Sequence, residues 1–599
     1  MRHYSHRLVF TFTFFLTLSL ARSATSGEQR IVQLKDFSSI ELQSQGFSLP
    51  LDAQLHIVAV GAGSEKGKIF STSTMYAYGW ILDAKSRKTV WEMDQNNTLQ
   101  SQKDKKFDGE ISLPKGNYEV YFAAYGFGSH DPFSTFSINI DRRKKTVEEK
   151  KSKKRNFFSW LEDFFGGDVE KEWKSRSKNW GIDLYMKDGS VSITTFKPPK
   201  DFPNTIYKAT RLGENDHIKQ AFILSKSIPI HIYSVGEMNF DDDLADYGWI
   251  INAKTRERIW EMKSSNLNHA GGAEKNVKFD DVVVFPSGEY VLFFNTDDSH
   301  SPLDWNAAPP SDPLNYGVQL ITPEQNDMAA VKLTTLREDE NIIVQLIRVK
   351  NNETRSASFT LKTETKIRVY ALGEASIERR LMADYGWIIN AKTRERIWIQ
   401  DVQRTKHAGG ADKNRMIDET ITLPKGTYTV YYKTDDSHSY DNWNTRGPFD
   451  PEHWGITVSG IDENFDMNNV EKNINVKEAG VISQINQVGD HADKTTQFKL
   501  EKPTRVRIYA LGEGQNREMY DYGWIEDAHS SRVIWEMTYS MTFHAGGGRK
   551  NRIVTTTILL DRGEYNLRYI SDDSHSFGNW NTDPPDDPTM WGITLYREE

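Results

Sequence analysis

Carboxylates, imidazoles and amides recur together at three places in the chain. An Asp precedes the string Tyr-Gly-Trp at Asp246, Asp384 and Asp521. A His opens the string His-Ala-Gly-Gly at His269, His407 and His544. The string Asp-Asp-Ser-His-Ser supplies Asp298 with His300, Asp436 with His438, and Asp573 with His575. Such a set could hold a divalent metal: His with carboxylates suits zinc, whereas Asp and Asn oxygens suit calcium. The spacing follows no established metal motif, and Asp-Asp-Ser-His-Ser lacks the ligand rhythm of an EF-hand loop. The alternative is that Asp and Ser order tight loops by accepting backbone N–H bonds. A Ser-His-Asp nucleophile is disfavoured, because adjacent residues on a strand end face opposite sides and no nucleophile elbow is present. Trp-Asn pairs follow at Trp305-Asn306, Trp443-Asn444 and Trp580-Asn581, in polar, Pro-rich loops. A Trp there could stack on a sugar ring or pin its loop to the body.

These residues sit on a repeated frame. Tyr-Gly-Trp occurs four times, with its glycine at Gly79, Gly248, Gly386 and Gly523, and eleven residues after each Trp comes another: Trp91, Trp260, Trp398 and Trp535. Trp180, Trp454 and Trp591 each precede Gly-Ile. The repeats read as strands. Lys366 to Leu372 alternates apolar and polar, the period of a half-buried strand. Pro424-Lys425-Gly426 reads as a turn, Pro setting the first corner and Gly supplying a positive φ at the second. The expected fold is all-β: four tandem antiparallel β-sandwich, jelly-roll-like repeats with one short helical insertion in the first. The boundaries read as 28–190, with the insertion at 141–178, then 200–322, 338–460 and 475–599. The polar stretch from Pro323 to Glu338 reads as leading into the following repeat. Most Trp are expected to fill sandwich cores.

The first repeat keeps Tyr78-Gly79-Trp80, Trp91 and Trp180-Gly181-Ile182, but has Ala77 in place of the Asp and no His-Ala-Gly-Gly. The apolar set persists while most of the polar set is lost together. The polar residues are therefore expected to cluster at one end of each later sandwich and to serve something other than the core.

Phe359-Thr360-Leu361, Ile367 to Tyr370 and the Leu-Pro-x-Gly-x-Tyr corner from Leu423 to Tyr428 resemble bacterial pre-peptidase C-terminal-type modules. Those are small β-sandwiches on secreted proteins, often accessory to a catalytic domain. The resemblance implies fold and export, and no catalytic domain stands beside the repeats here.

Residues 1–23 read as a secretory signal: a basic start, an apolar run from Leu8 to Leu20, and Ala21-Arg22-Ser23 as a cleavage site. The expected location is extracytoplasmic: periplasmic, secreted or cell surface. The 599 residues contain no Cys, which excludes a disulfide framework, a thiol nucleophile and a Cys zinc site. A net charge of −9 argues against nucleic acid as a partner. In the insertion, a basic run from Arg142 precedes Phe157 to Phe165, whose apolar residues share a helical face. Residues 142–165 would suit peripheral contact with an anionic membrane, or would cover their own repeat. Three similar sites on one chain point to a multivalent binding protein, with carbohydrate or a surface protein as partner. A His/Asp metal-dependent hydrolase and a structural spacer in an extracytoplasmic assembly are the alternatives.

Overall fold

The computed structural model describes residues 28–598 except 38–40, 64–74, 102–103, 126–168, 188–190, 240–243, 303–304, 336–340, 379, 462–464 and 473–479. The signal-like segment, Phe157 to Phe165 and the basic run before them lie outside the described residues. The chain divides into two compact units, Met1–Leu336 and Arg337–Glu599. Each unit contains two β-sandwich repeats, here called modules one and two and modules three and four.

Module three shows the plan. One sheet orders the strands Ile342–Ile347, Gly455–Gly460, Thr365–Ser376, Asn414–Leu423 and Lys406–His407. The other orders Arg396–Ile399, Tyr385–Asn390, Gly426–Lys433, Thr354–Leu361 and Val470–Lys472. All of these pairings are antiparallel. Alternating side chains meet between the sheets: Ile367, Val369 and Ala371 from one, Phe359, Ile388 and Val430 from the other, all buried. The other modules repeat this order among the described residues, except that in modules one and two the two sheets also pair with each other and in module four the second sheet ends at Asp493–Leu500. The helix Val169–Ser177 belongs to module one, where Trp173 packs edge-on against Trp180 at 5.0 Å.

Three local readings change. The Gly of the Pro-Lys-Gly turn is absent from the residues with positive φ, so Gly426 simply begins its strand. The corner is closed instead by Tyr428, whose hydroxyl donates to the Pro424 carbonyl at 2.7 Å. Tyr118, Tyr290 and Tyr565 do the same in the other modules. The stretch after Pro323 does not lead into the next module: Val331–Thr334 pairs with His217–Leu224 of module two. Thr194–Phe196 and Val470–Lys472 likewise close modules one and three, so those modules run past 190, 322 and 460.

The third change concerns Trp. Trp180, Trp454 and Trp591 are buried within their modules. Trp80 and Trp387 instead lie at a joint between successive modules. Each stacks on a Tyr of its own sheet, Trp80 on Tyr121 at 5.3 Å and Trp387 on Tyr431 at 5.1 Å. Each also donates its indole N–H to the next module, Trp80 to Ser311 O at 2.7 Å and Trp387 to Asp586 O at 2.8 Å. An Arg in the following hairpin completes each joint. Arg87 donates to Asp312 and to Glu119, and Arg394 donates to Asp587 at 3.1 Å. Both Arg have a left-handed backbone, φ 55° and 65°, which costs a non-Gly residue about 1–2 kcal/mol. Module four has Ser531 at this position, and its Trp524 donates to Glu526 of its own strand at 3.0 Å.

Candidate functional site

The polar residues shared by modules two to four separate into four groups. The Asp of Asp-Pro belongs to the joints: Asp312 and Asp587 are the acceptors just described. Burial opposes the Arg87 charge, but Asp312 and Glu119 outweigh it and hold the guanidinium above its ordinary value.

The second group orders loops. His269 Nε2 lies 3.0 Å from Ala273 O, His407 Nε2 3.1 Å from Ala411 O, and His544 Nε2 3.1 Å from Gly548 O. The glycines after them are left-handed, and a Cβ on Gly410 would lie 1.9 Å from Gly447 O. The string His-Ala-Gly-Gly is thus a loop closed on itself and on the following segment.

The third group is an imidazole–amide frame. His300 Nε2 lies 2.6 Å from Asn276 Oδ1, and its Nδ1 lies 2.9 Å from Asn306 Oδ1. His438 has the same partners in Asn414, at 2.5 Å, and Asn444, at 3.0 Å. His575 Nε2 lies 2.5 Å from Asn551 Oδ1. Asn276, Asn414 and Asn551 are themselves held, each amide donating to two backbone carbonyls. Burial pushes the imidazoles down to about 3, 4 and 3 for His300, His438 and His575, so they are neutral at physiological pH. The loop Trp pack on this frame. Trp305 meets His300 edge-on at 4.8 Å and Tyr316 at 5.3 Å. Trp443 and Trp580 meet His438 and His575 at 5.1 Å, and Trp454 and Trp591 at 5.0 Å. Trp305 is buried, and Trp443 and Trp580 are half-buried. Asn306, Asn444 and Asn581 beside them are exposed, as are Asp298, Asp436 and Asp573.

The fourth group is an acid corner. In module two, Glu237 at the end of one strand stands directly opposite Asp246 on the next. Asp297, in the loop after a third strand, joins them, with one oxygen from each residue lying within 4.8 Å of the others. Glu374, Asp384 and Asp435 form the same corner in module three, and Glu513, Asp521 and Asp572 in module four. Asp246 accepts from the Asp297 N–H at 2.7 Å and from the Tyr316 hydroxyl at 2.5 Å. Asp384 and Asp521 accept from Asp435 and Asp572 N–H and from the indoles of Trp454 and Trp591 at 3.1 Å. Lys275, Lys413 and Lys550 each bind one Glu oxygen, at 2.8, 2.9 and 2.8 Å. The other Glu oxygen is buried without a hydrogen-bond partner in all three modules. Burial, reinforced by neighbouring carboxylates, outweighs these donors and pushes Glu237, Asp246 and Asp521 up to about 7 and Asp384 well above its ordinary value.

Of the residues singled out in the sequence as metal ligands, Asp246, Asp384 and Asp521 sit in this corner. Among the described residues, His269, His407, His544, His300, His438 and His575 are outside the acid groups, as are Asp298, Asp436 and Asp573. The Glu and the first Asp of each Asp-Asp pair were missed. So were the Lys-Asn pairs Lys275-Asn276, Lys413-Asn414 and Lys550-Asn551. A recurring Gly-Glu and a recurring Lys-Asn were the available marks.

No protein-family model matches the chain, and no curated protein matches it. Among solved structures it is similar to the CUB1-EGF-CUB2 domain of human MASP-1/3, at 12% identity over 42% of this chain and 96% of that chain. The TM-score is 0.13, and the likeness carries no argument here.

Proposed function

We propose that the chain is an extracytoplasmic multivalent binding protein, presenting one loop site in each of modules two, three and four to carbohydrate or to a surface protein. One observation carries this reading: the same rim of exposed groups, Asp298 with Asn306, Asp436 with Asn444, and Asp573 with Asn581, stands three times over the same buried His–Asn frame. A loop held by buried imidazole–amide bonds loses little freedom when it binds, which favours affinity. Three modest sites on one chain add by avidity. The loop Trp act in this reading chiefly as anchors of the rim. A structural spacer is the second reading, favoured by the buried Arg–Asp joints within each unit.

A glycan array and a panel of surface proteins probed with the full chain test the proposal. The matched variant replaces Asp298, Asp436 and Asp573 with Ala. These side chains are exposed, so the fold should persist. Retention of the wild type on a defined ligand and its loss in the variant are expected. Equal retention of both would overturn the placement, and no retention on any ligand would favour the spacer.

A further inference from the structure

We infer that modules two, three and four each bind one calcium-class divalent cation in the acid corner, between Glu237, Asp246 and Asp297 and their counterparts, and that module one binds none.

The corner is poorly balanced as a purely structural device. Like charges directly opposite on neighbouring strands destabilise a sheet. Here Glu237 faces Asp246 at a paired position, a third carboxylate adjoins them, and one Lys offsets only part of the charge. Glu237, Glu374 and Glu513 are 3%, 9% and 4% exposed, and each keeps one buried oxygen without a partner. A buried carboxylate oxygen left unsatisfied is costly, and native proteins seldom retain one without a purpose. The same oxygen is orphaned three times in one chain.

Module one provides the internal control. The paired positions there hold Ala62 and Ala77, and Tyr125 stands where the third acid would be, its N–H bonded to Tyr76 O instead of to a carboxylate. All three are buried in the apolar core. The glycine before Ala62 persists: a Cβ on Gly61 would lie 2.0 Å from Ala77 O, as one on Gly236 would lie 2.1 Å from Asp246 O. The backbone of the corner is therefore common to both kinds of module. The three acids change together, with most of the polar set, into an apolar filling.

The donor set selects the ion. Ligand oxygens within 4.8 Å of one another can all be reached by one cation. The donors are all carboxylate oxygens, with no imidazole or thiolate, which disfavours zinc. Magnesium prefers a tighter octahedron and keeps most of its water.

This inference stands independently of the ligand proposed above, and its test uses the metal alone. The full chain, stripped with chelator, is titrated with calcium chloride by calorimetry, and its thermal unfolding is followed with and without the ion. Three sites per chain and a rise in Tm are expected, with magnesium weaker and zinc unable to substitute. The variant carrying Glu237→Gln, Glu374→Gln and Glu513→Gln should lose the calcium heat and the calcium-dependent shift. Its metal-free Tm should equal or exceed that of the wild type, because one buried charge per module is gone. Absence of calcium binding up to about 10 mM, beyond the range of weak extracellular calcium sites, would overturn the inference. So would binding that survives in the folded Gln variant.

Discussion

Arg394 of module three reaches into module four and donates to Asp587, Nη1 to Oδ2, at 3.1 Å, while Tyr431 and Tyr509 donate to the same carboxylate at 3.0 and 3.1 Å. Arg87 does the equivalent for Asp312, where Tyr233 is the Tyr of the next module. Both pairs are almost fully buried. Removing one partner of such a pair leaves a stranded charge, so Arg394→Ala should lower the stability of the unit by about 3–5 kcal/mol. Arg87→Ala should cost at least as much, because it strands both Glu119 and Asp312. Urea unfolding measures both. A loss near zero would mean that the joint is open in solution.

The Gly before each corner Glu lets two strands approach closely. A Cβ on Gly373 would meet Asp384 O at 2.1 Å, and one on Gly512 would meet Asp521 O at 2.0 Å. Backbone cannot yield as a flexible side chain can. Gly373→Ala should therefore destabilise module three by about 1–3 kcal/mol, read as a lower urea midpoint. An unchanged midpoint would contradict the close pairing.

His300, His438 and His575 titrate at about 3, 4 and 3 in the fold, because burial disfavours the imidazolium, against an ordinary value of 6.5. Between those limits only the unfolded chain takes up the proton. Each His therefore contributes stability that is present above pH 6.5 and is lost as the pH falls toward the folded value. Full protonation of the unfolded form changes the folding equilibrium by about tenfold per pH unit per His. The acid-corner carboxyls, raised to about 7, add the opposite trend to wild type and variant alike, so lowering the pH from 6.5 to 5 should change stability more favourably in a variant carrying His→Gln at all three positions than in the wild type. The same change in both would show that the imidazoles are not held neutral.

The fold was legible because strand alternation and turn residues repeat four times: Lys366 to Leu372 is a strand, and Leu423 to Tyr428 is a corner. What misled was the assumption that Gly426 turns the chain, when the Tyr428 hydroxyl closes it. Trp80 and Trp387 read as core because a large apolar residue in a strand usually is. Their burial at a joint depends on an Asp-Pro segment more than 190 residues away in the sequence. The acid corner was half legible. Asp246, Asp384 and Asp521 stood out beside Tyr-Gly-Trp, but Glu237 lies on a different strand, and only the register brings it opposite Asp246. The histidines drew attention by type, whereas their neutrality comes from burial and from the neighbouring Lys275, Lys413 and Lys550 charges, which only the fold brings close.

The rim residues should be separable from stability. Asp298, Asp436 and Asp573 are exposed, so Ala at any one of them should change unfolding free energy by no more than about 0.5 kcal/mol. A larger loss, measured by urea titration, would assign that residue to the frame.

Multivalency is the central claim, and dissociation from a ligand-dense surface tests it most directly. Chains with three, two and one intact rims, made by Ala substitution at Asp298, Asp436 and Asp573 in turn, are compared by surface plasmon resonance on the ligand found by the array. Avidity predicts that each rim lost speeds dissociation by a large factor, about tenfold or more, while the one-rim chain remains folded. Dissociation that is unchanged as rims are removed, or that quickens only in simple proportion to their number, would contradict it.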